Sequence, residues 1–204
     1  MPNSDLLINI AMVTAGYLCG SLASAVIVCR LMGLEDPRGG GSGNPGATNV
    51  LRMHGKTGAI LTLAGDVLKG FIPVTAAVWL QLPHAVVALT ALAAFLGHLY
   101  PVFFGFRGGK GVATFIGVLF GTYWIPGVLF VLSWGVVAAI SRYSSLSALT
   151  AAALSPLYLW LFLPEMPYVA CFGIMAVLLF WRHRENIRRL IAGEESRIGG
   201  KRKE

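Results

Sequence analysis

Charged residues are scarce in this chain. Asp, Glu, Lys and Arg make up only 12% of its 204 residues, whereas 56% are hydrophobic. This composition lies far outside the range of soluble globular domains and indicates an integral membrane protein. The three cysteines lie within apolar runs, so they indicate buried apolar positions and neither a disulfide framework nor a metal site: Cys19, Cys29 and Cys171.

Several kinds of catalytic site are also missing from the sequence. It contains no HExxH, no paired-carboxylate cluster and no Cys/His set at ligand spacing, so we expect neither a metal nor another cofactor. No His is followed four residues later by Asp, an arrangement found in many acyltransferases that use coenzyme A thioesters. The repeated-Asp motif of alcohol phosphotransferases is absent as well, and no nucleic-acid partner is expected.

Long apolar runs are what the sequence has in abundance. They occur at about 6–32, 57–80, 84–104, 112–140, 146–163 and 167–181. A membrane-spanning helix needs roughly 20 apolar residues, so most of these runs predict one span each. The run at 112–140 is too long for one span, and Pro126 and Gly127 near its middle favour a break. The run from Leu6 lacks a basic segment before it and is too long for a signal peptide, which indicates a retained span.

The positions of Lys and Arg predict the orientation. Of the 16 such residues, all but Lys69 lie at the ends of runs, in polar segments between them, or after residue 181. If 112–140 forms two short spans, all these basic segments fall on one side, and the opposite loops contain no Lys or Arg. This positive-inside pattern predicts an all-α bundle of seven transmembrane helices, with the N-terminus outside and the C-terminus cytoplasmic. We expect residues 1–204 to form a single membrane-embedded domain.

A polar, glycine-rich segment separates the first two runs. Residues 39–52 read Gly-Gly-Gly-Ser-Gly-Asn-Pro-Gly-Ala-Thr-Asn-Val-Leu-Arg. Residues 39–46 cannot be helix interior, because glycine costs about 1 kcal/mol there and proline about 3 kcal/mol. Such a loop can converge backbone N–H groups on an anion. The alternative is a flexible linker, but five side chains suited to hydrogen bonding or phosphate binding favour an anion site: Ser42, Asn44, Thr48, Asn49 and Arg52.

A second polar segment, residues 104–114, contains Gly108, Gly109, Lys110 and Gly111 directly before a predicted helix. Bare backbone donors, a helix N-terminus and a lysine are the components of a phosphate cradle, although the spacing is not that of a Walker A loop. Juxtamembrane charge that fixes topology is the alternative. Two such loops on one face favour phosphate binding.

Two more polar segments fall on the same predicted face, the connection 141–145 and the tail 182–190. His183 and Asn186 are i,i+3 neighbours and face the same way on a helix. A lone interfacial His is more often structural than catalytic, and the arginines around it are expected to contact anionic lipid headgroups. Near mid-depth only Asp66 and Lys69 stand out, spaced i,i+3, as a buried structural pair or as the floor of a cytoplasmic site.

Three of these segments together resemble the bacterial PlsY family of membrane acyltransferases: Gly41–Arg52, Phe106–Thr114 and His183–Leu190. Gly20-Ser21, residues 65–70 and residues 141–146 are also similar to the family pattern, so the resemblance covers essentially the whole chain. One departure is that Gly193 is followed by Glu194-Glu195, where the family has glycine, a small residue and then glutamate. Either glutamate could take the structural role that the family assigns to this position.

The resemblance implies an activity and a set of site residues. PlsY enzymes transfer a fatty acyl group from acyl-phosphate to the 1-hydroxyl of glycerol 3-phosphate, giving lysophosphatidate, the first step of phospholipid synthesis in the inner membrane. Ser42 and Arg52 match required residues of the first motif. Gly108, Gly109 and Gly111, beside Lys110, match glycines linked to glycerol 3-phosphate binding. His183 and Asn186 match the third motif, and Ser145, Asn44 and Thr48 are further candidates for substrate binding.

The chemistry leaves two choices open. His183 or a substrate phosphate oxygen could accept the proton of the attacking hydroxyl, and Ser42 could bind substrate or form an acyl-enzyme, of which we favour the former. The acyl chain is expected in a groove open to the inner leaflet. A soluble enzyme that makes acyl-phosphate is a candidate partner, beside the membrane lipid. Two other functions, a small-anion transporter gated by Asp66 and Lys69 and a non-catalytic scaffold, are the alternatives to catalysis.

Overall fold

The computed structural model describes residues 2–199, with side chains from residue 5 onward. Within this part of the chain every regular element is helical and strands are absent. The basic residues 201–203, which the orientation prediction uses, lie outside the described residues. The chain divides into two compact units, the first ending at Thr122 and the second beginning at Tyr123.

The first unit contains six helices and a short 3-10 turn at Val102–Phe104. The helices are α1 (Pro2–Gly20), α2 (Ser24–Leu31), α3 (Ala47–His54), α4 (Lys56–Trp79), α5 (His84–Leu99) and α6 (Val112–Thr122). Helix α4 packs against all the others in this unit, and α1 lies along α5.

The second unit contains α7 (Trp124–Ser141), α8 (Ser144–Phe162), α9 (Met166–Arg182) and α10 (Arg184–Ile191). Helix α8 packs against α7, α9 and α10. One side of α7 is exposed and wholly apolar, with Leu132 57% and Ile140 82% accessible. Such a face suits contact with lipid chains.

Several helices can cross a bilayer. Residues Lys56–Trp79, His84–Phe104, Trp124–Ser141 and Ser144–Phe162 are long and apolar enough to span singly. Two bent pairs, α1 with α2 and α9 with α10, pass the same test as broken spans, with bends of 49° and 59°. The described residues therefore hold four candidate spans, or up to six, and the protein is a multi-pass membrane protein.

The predicted division of the run 112–140 is confirmed. Helix α6 ends at Thr122, Tyr123 is extended, and α7 begins at Trp124 with Pro126 in its first turn, where a missing N–H costs no helical hydrogen bond. However, α6 has 11 residues, about 16 Å at roughly 1.5 Å per residue, which is short of the 30 Å or so of bilayer hydrocarbon. Seven full spans and the orientation of the termini remain predictions.

The first apolar run, expected to be one span, is broken between α1 and α2. Ser21 at the break is fully buried, and its hydroxyl donates to Tyr17 O over 2.8 Å. The next carbonyl, Leu22 O, accepts a 2.8 Å hydrogen bond from the ammonium of Lys69. The break thus supplies a bare carbonyl to a cation buried in α4, a contact that periodicity alone does not predict.

Glycines allow the helices of the first unit to approach closely. A Cβ at Gly20 on α1 would overlap the carbonyl of Ala94 on α5, and a Cβ at Gly117 on α6 would overlap the carbonyl of Val67 on α4. Small residues at such seams are the usual device of membrane helix packing, because lipid provides no hydrophobic force between helices.

We expect Gly117→Ala to destabilise the protein by about 1–3 kcal/mol, because a backbone carbonyl cannot move aside for the new methyl group. Gly135 on α7 is the matched control, since a Cβ there meets no atom within 4 Å. Gly135→Ala should leave the melting temperature in detergent unchanged or slightly raised. Equal melting temperatures for the two variants would show that the α4–α6 seam is not close-packed.

Candidate active site

The first glycine-rich loop is a shaped structure held by one side chain. Asn49, in the first turn of α3, is 2% exposed and lies under the loop. Its Oδ1 accepts the backbone N–H of Ser42 at 2.9 Å, and its Nδ2 donates to Pro37 O at 2.8 Å and Gly40 O at 3.2 Å. Gly41 has φ +61°, and a Cβ there would meet the Asn49 amide. These hydrogen bonds give the segment a defined shape, which favours the anion-site interpretation over a flexible linker.

The side chains of the first loop that are candidates for substrate binding are not part of the Asn49 hydrogen bonds. Ser42 is exposed, Asn44 is half-buried, and Thr48 and Arg52 are exposed at i,i+4 positions on α3. Asn49, by contrast, uses its amide to shape the loop. The sequence counted Asn49 as a further hydrogen-bonding group, and the structure shows what that group binds.

The second loop lies directly on the end of α5. Gly108 and Gly109 are buried, and side chains at either position would overlap the carbonyl or the ring of His98. The N–H of Gly109 donates to His98 O at 3.2 Å. Gly111 has φ +92°, and a Cβ there would overlap the ring of Phe95. Close packing thus accounts for all three glycines. Lys110 is half-buried and lies between Gly109 and Gly111, two residues before α6 begins.

The two glycine-rich loops meet in the first unit. Pro45 O lies 3.3 Å from the position a Cβ would take at Gly109. At the outer edge, the Arg38 guanidinium donates to Phe104 O at 3.3 Å and pairs with Asp36 at 2.7 Å. Hydrogen bonds from Arg38 hold the pKa of Asp36 below its ordinary value. The structure therefore brings the segments of Ser42 and Lys110 together, as two loops on one face require.

A buried polar cluster lies beneath the second loop. Lys69 Nζ is 2.8 Å from Asp66 Oδ1, and both side chains are less than 5% exposed. His98 Nδ1 lies 3.5 Å from the same carboxylate oxygen and 3.1 Å from Thr114 Oγ1. The ion pair of Asp66 and Lys69 is thus both structural and close to the candidate site. The sequence analysis missed His98 and Thr114, although a His at the end of an apolar run and near a mid-depth ion pair was a usable signal.

In the second unit, His183 lies at the bend between α9 and α10. It is 3% exposed, and its Nδ1 is 2.8 Å from Leu179 O. Because a carbonyl can only accept, Nδ1 carries the proton, and in the neutral ring the lone pair is on Nε2. Asn186 is also buried, one turn further along. Both side chains belong to the inner face of the tail, as the i,i+3 spacing predicts.

Glu195 connects the tail with the 141–145 connection. Its carboxylate accepts Asn186 Nδ2 at 2.6 Å, Ser145 Oγ at 2.8 Å and Arg189 Nε at 2.7 Å. Arg189 therefore binds protein, where the sequence predicted lipid. Glu194 is exposed, so Glu195 is the glutamate with the structural contacts. Partial burial raises the pKa of Glu195, but the hydrogen bonds from Asn186, Ser145 and Arg189 outweigh it and hold that pKa below its ordinary value.

The polar groups at the two glycine-rich loops are suited to holding phosphate. Within residues 2–199 no group of three or more His, Cys, Asp and Glu side chains is placed to hold a metal ion. The available groups are shaped backbone loops, an exposed guanidinium at Arg52 and an ammonium at Lys110. These groups suit the binding of anions that carry phosphate.

The fold is that of a multi-pass helical membrane protein, and two glycine-rich loops, with Arg52 and Lys110 nearby, meet in its first unit. The model of the family described as glycerol-3-phosphate acyltransferase matches residues 10–193. The chain belongs to the glycerol-3-phosphate acyltransferase family.

Relatives and solved structures agree with this assignment. The glycerol-3-phosphate acyltransferase of Thioalkalivibrio sulfidiphilus is 57% identical over 198 residues, covering 97% of this chain and 98% of its own. That of Methylococcus capsulatus is 54% identical, covering 99% and 100%. Crystal structures of PlsY, an integral membrane glycerol 3-phosphate acyltransferase, match in the glycerol 3-phosphate form (TM-score 0.89, 41% identity, 94% of this chain and 96% of that one) and in the lysophosphatidic acid form (0.87, 39%, 93% and 94%).

We expect Glu195→Gln to lower the melting temperature at neutral pH but not in acid. A carboxylate whose pKa is lowered by folding adds stability above its unfolded-state pKa and loses it as the pH falls through the folded-state value. The gap between wild type and Glu195→Gln should therefore close as the pH falls from about 7 to about 3. Glu194→Gln is the control and should match wild type throughout; a pH-independent gap for Glu195→Gln would refute the ionic role.

Proposed function

We propose that this protein transfers a fatty acyl group from acyl-phosphate to the 1-hydroxyl of glycerol 3-phosphate, giving lysophosphatidate and inorganic phosphate. The observation that carries the proposal is the close likeness to PlsY, whose two matching crystal forms are those of glycerol 3-phosphate and lysophosphatidic acid. These are the acceptor and the product of the proposed reaction.

An acyl-phosphate donor fits the chemistry of the described residues. It is a mixed anhydride with a good leaving group, so the transfer needs little help from a general acid or a metal. Positioning two phosphate-bearing substrates and screening their mutual repulsion become the main tasks. Shaped loops with Arg52 and Lys110 are suited to both.

We assign the phosphate-binding roles by residue. Arg52, exposed on α3, offers a planar guanidinium for bidentate binding of one phosphate, with Thr48 one turn before it. Lys110 supplies a point charge for the second phosphate or for the oxyanion that forms at the acyl carbon. Asn44 and Ser145 are proposed as further hydrogen-bonding groups. Gly108, Gly109 and Gly111 have no side chains, so a phosphate can approach the backbone of the loop that contains Lys110.

In the chemical step, the 1-hydroxyl oxygen forms a bond to the acyl carbon and the bond from that carbon to the phosphate oxygen breaks. The hydroxyl proton passes either to Nε2 of His183 or to an oxygen of the donor phosphate, which leaves as inorganic phosphate. The bond from His183 Nδ1 to Leu179 O keeps Nε2 as the basic nitrogen. Asn186 is proposed to orient phosphate beside His183.

Ser42 is proposed to bind substrate and not to act as the nucleophile. Its backbone N–H is fixed by Asn49, and its side chain is exposed. No base donates to or accepts from its hydroxyl among the described residues, so nothing there activates it for attack. Trapping an acylated Ser42 in the purified enzyme would contradict this role.

We propose that the site faces the cytoplasm in the bacterial inner membrane. All the basic loops then lie on one side, as the positive-inside rule requires. Glycerol 3-phosphate would reach the site from solution and the product would leave into the inner leaflet. A soluble enzyme that makes acyl-phosphate remains a candidate partner on this face.

The decisive test supplies purified protein, in lipid or mild detergent, with labelled glycerol 3-phosphate and either acyl-phosphate or acyl-coenzyme A. A chelator is present and no metal is added. We expect lysophosphatidate from acyl-phosphate alone. No product from either donor, with the protein shown to be folded, would rule out the proposal, and uptake of labelled glycerol 3-phosphate into sealed vesicles would then indicate a transporter.

His183→Gln should separate the two possible proton acceptors. If His183 is the base, kcat falls by about 100-fold or more with little change in KM. If the substrate phosphate is the base and His183 binds phosphate, KM rises while kcat changes by less than about tenfold. Arg184→Gln, at the next position and exposed, is the control and should leave both constants near those of wild type.

A further inference from the structure

His98 fills the space between the buried ion pair and the second glycine-rich loop. It lies in the last turn of α5 and is 6% exposed. One edge of its ring faces Asp66 and Thr114, with Nδ1 3.5 Å from Asp66 Oδ1 and 3.1 Å from Thr114 Oγ1. The opposite edge, at Nε2, lies so close to Gly109 that a Cβ there would overlap it.

The orientation of this ring is fixed by its acceptors. Thr114 Oγ1 donates its proton to Asp66 O at 3.0 Å, so its lone pairs face His98. The Asp66 carboxylate is an acceptor as well. Nδ1 is therefore the donor, and turning the ring over would place a carbon against both oxygens. Lys69 in turn holds Asp66, with its Nζ 2.8 Å from Oδ1.

The backbone of His98 holds the same loop. Its carbonyl accepts the N–H of Gly109 at 3.2 Å, and Gly108 packs so closely on the carbonyls of His98 and Leu99 that no side chain would fit. Gly109 precedes Lys110 directly. The path of the loop, and with it the position of the Lys110 ammonium, thus depends on where His98 sits.

We propose that His98 is a positioning residue for glycerol 3-phosphate, acting through the Gly108–Lys110 backbone. Asp66, held by Lys69, and Thr114 fix the orientation of the His98 ring. The ring in turn fixes how closely the loop packs on α5. This inference rests on the proposed function, because it concerns the acceptor of that reaction. In this proposal the ion pair of Asp66 and Lys69 contributes to substrate binding, and it also holds α4, α5 and α6 together.

The test uses His98→Asn, whose amide can replace Nδ1 toward Asp66 and Thr114 but cannot reach Gly109. We expect KM for glycerol 3-phosphate to rise by about tenfold or more and KM for the acyl donor to change by less than about twofold. The dissociation constant of glycerol 3-phosphate, measured by calorimetry without donor, should rise in parallel. His84→Asn, exposed at the other end of α5, is the matched control and should behave as wild type.

A double variant separates positioning from a general structural role. If His98 acts through Lys110, His98→Asn should change KM by less than about threefold when Lys110 is already Ala. An equal change in both backgrounds would refute the proposal. So would a loss of melting temperature or kcat with KM for glycerol 3-phosphate unchanged.

Thr114→Val provides a second variant if His98→Asn does not fold. It removes the hydroxyl that holds the ring while keeping the side chain's shape, and it should raise KM for glycerol 3-phosphate by about threefold or more. Unchanged affinity in Thr114→Val would contradict the anchoring path. A wild-type protein that forms no lysophosphatidate would instead overturn the proposed function, so the two failures are distinguishable.

Discussion

The first unit is organised around the cost of placing charge in an apolar interior. An isolated charge in a low-dielectric medium is strongly unfavourable, and removing one partner of a buried pair commonly costs about 3–5 kcal/mol. Here Asp66 and Lys69 form an ion pair, Lys69 also donates to Leu22 O, and His98 lies 3.5 Å from the same carboxylate oxygen. These contacts require a helix break at residues 21–23, the end of α5 and the side of α4 to stand at fixed distances. The ion pair therefore specifies how these helices meet.

Glycine contributes to the same unit in two physical ways. At Gly20 and Gly117 it removes volume, so that helices approach to backbone contact. At Gly41 and Gly111 it permits positive φ, so that loops can turn where a side chain would clash with Asn49 or Phe95. In the second loop the same residues that resemble a phosphate-binding motif are required by packing on α5. A substitution there would change loop position before it changed any contact with a ligand.

How much the sequence predicted depends on how local the cause is. Composition predicted the membrane class, and Pro126 with Gly127 predicted the division between α6 and α7, because both effects act within a few residues. The break at Ser21 was not predicted, because the hydrogen bond made there joins Leu22 O to Lys69, which is 47 residues further along the chain. The role of His98 was not predicted for the same reason. The choice between Glu194 and Glu195 also stayed open, since Ser145, which binds Glu195, lies 50 residues away in the sequence. Asn49 was recognised as a hydrogen-bonding residue, but only the structure shows that it binds its own loop.

The clamped loops fit the chemistry proposed for them. A reactive donor needs little activation, so the rate depends on holding two phosphate-bearing molecules in one geometry against their repulsion. A flexible loop would have to be ordered at each binding event, at a cost of about 0.5–1.5 kcal/mol per immobilised side chain. Asn49 and His98 order the Ser42 and Lys110 segments when the chain folds, so this ordering is not required again at each binding event. Asn49 and His98, buried beneath the loops, should therefore govern substrate affinity as strongly as Arg52 and Lys110 do.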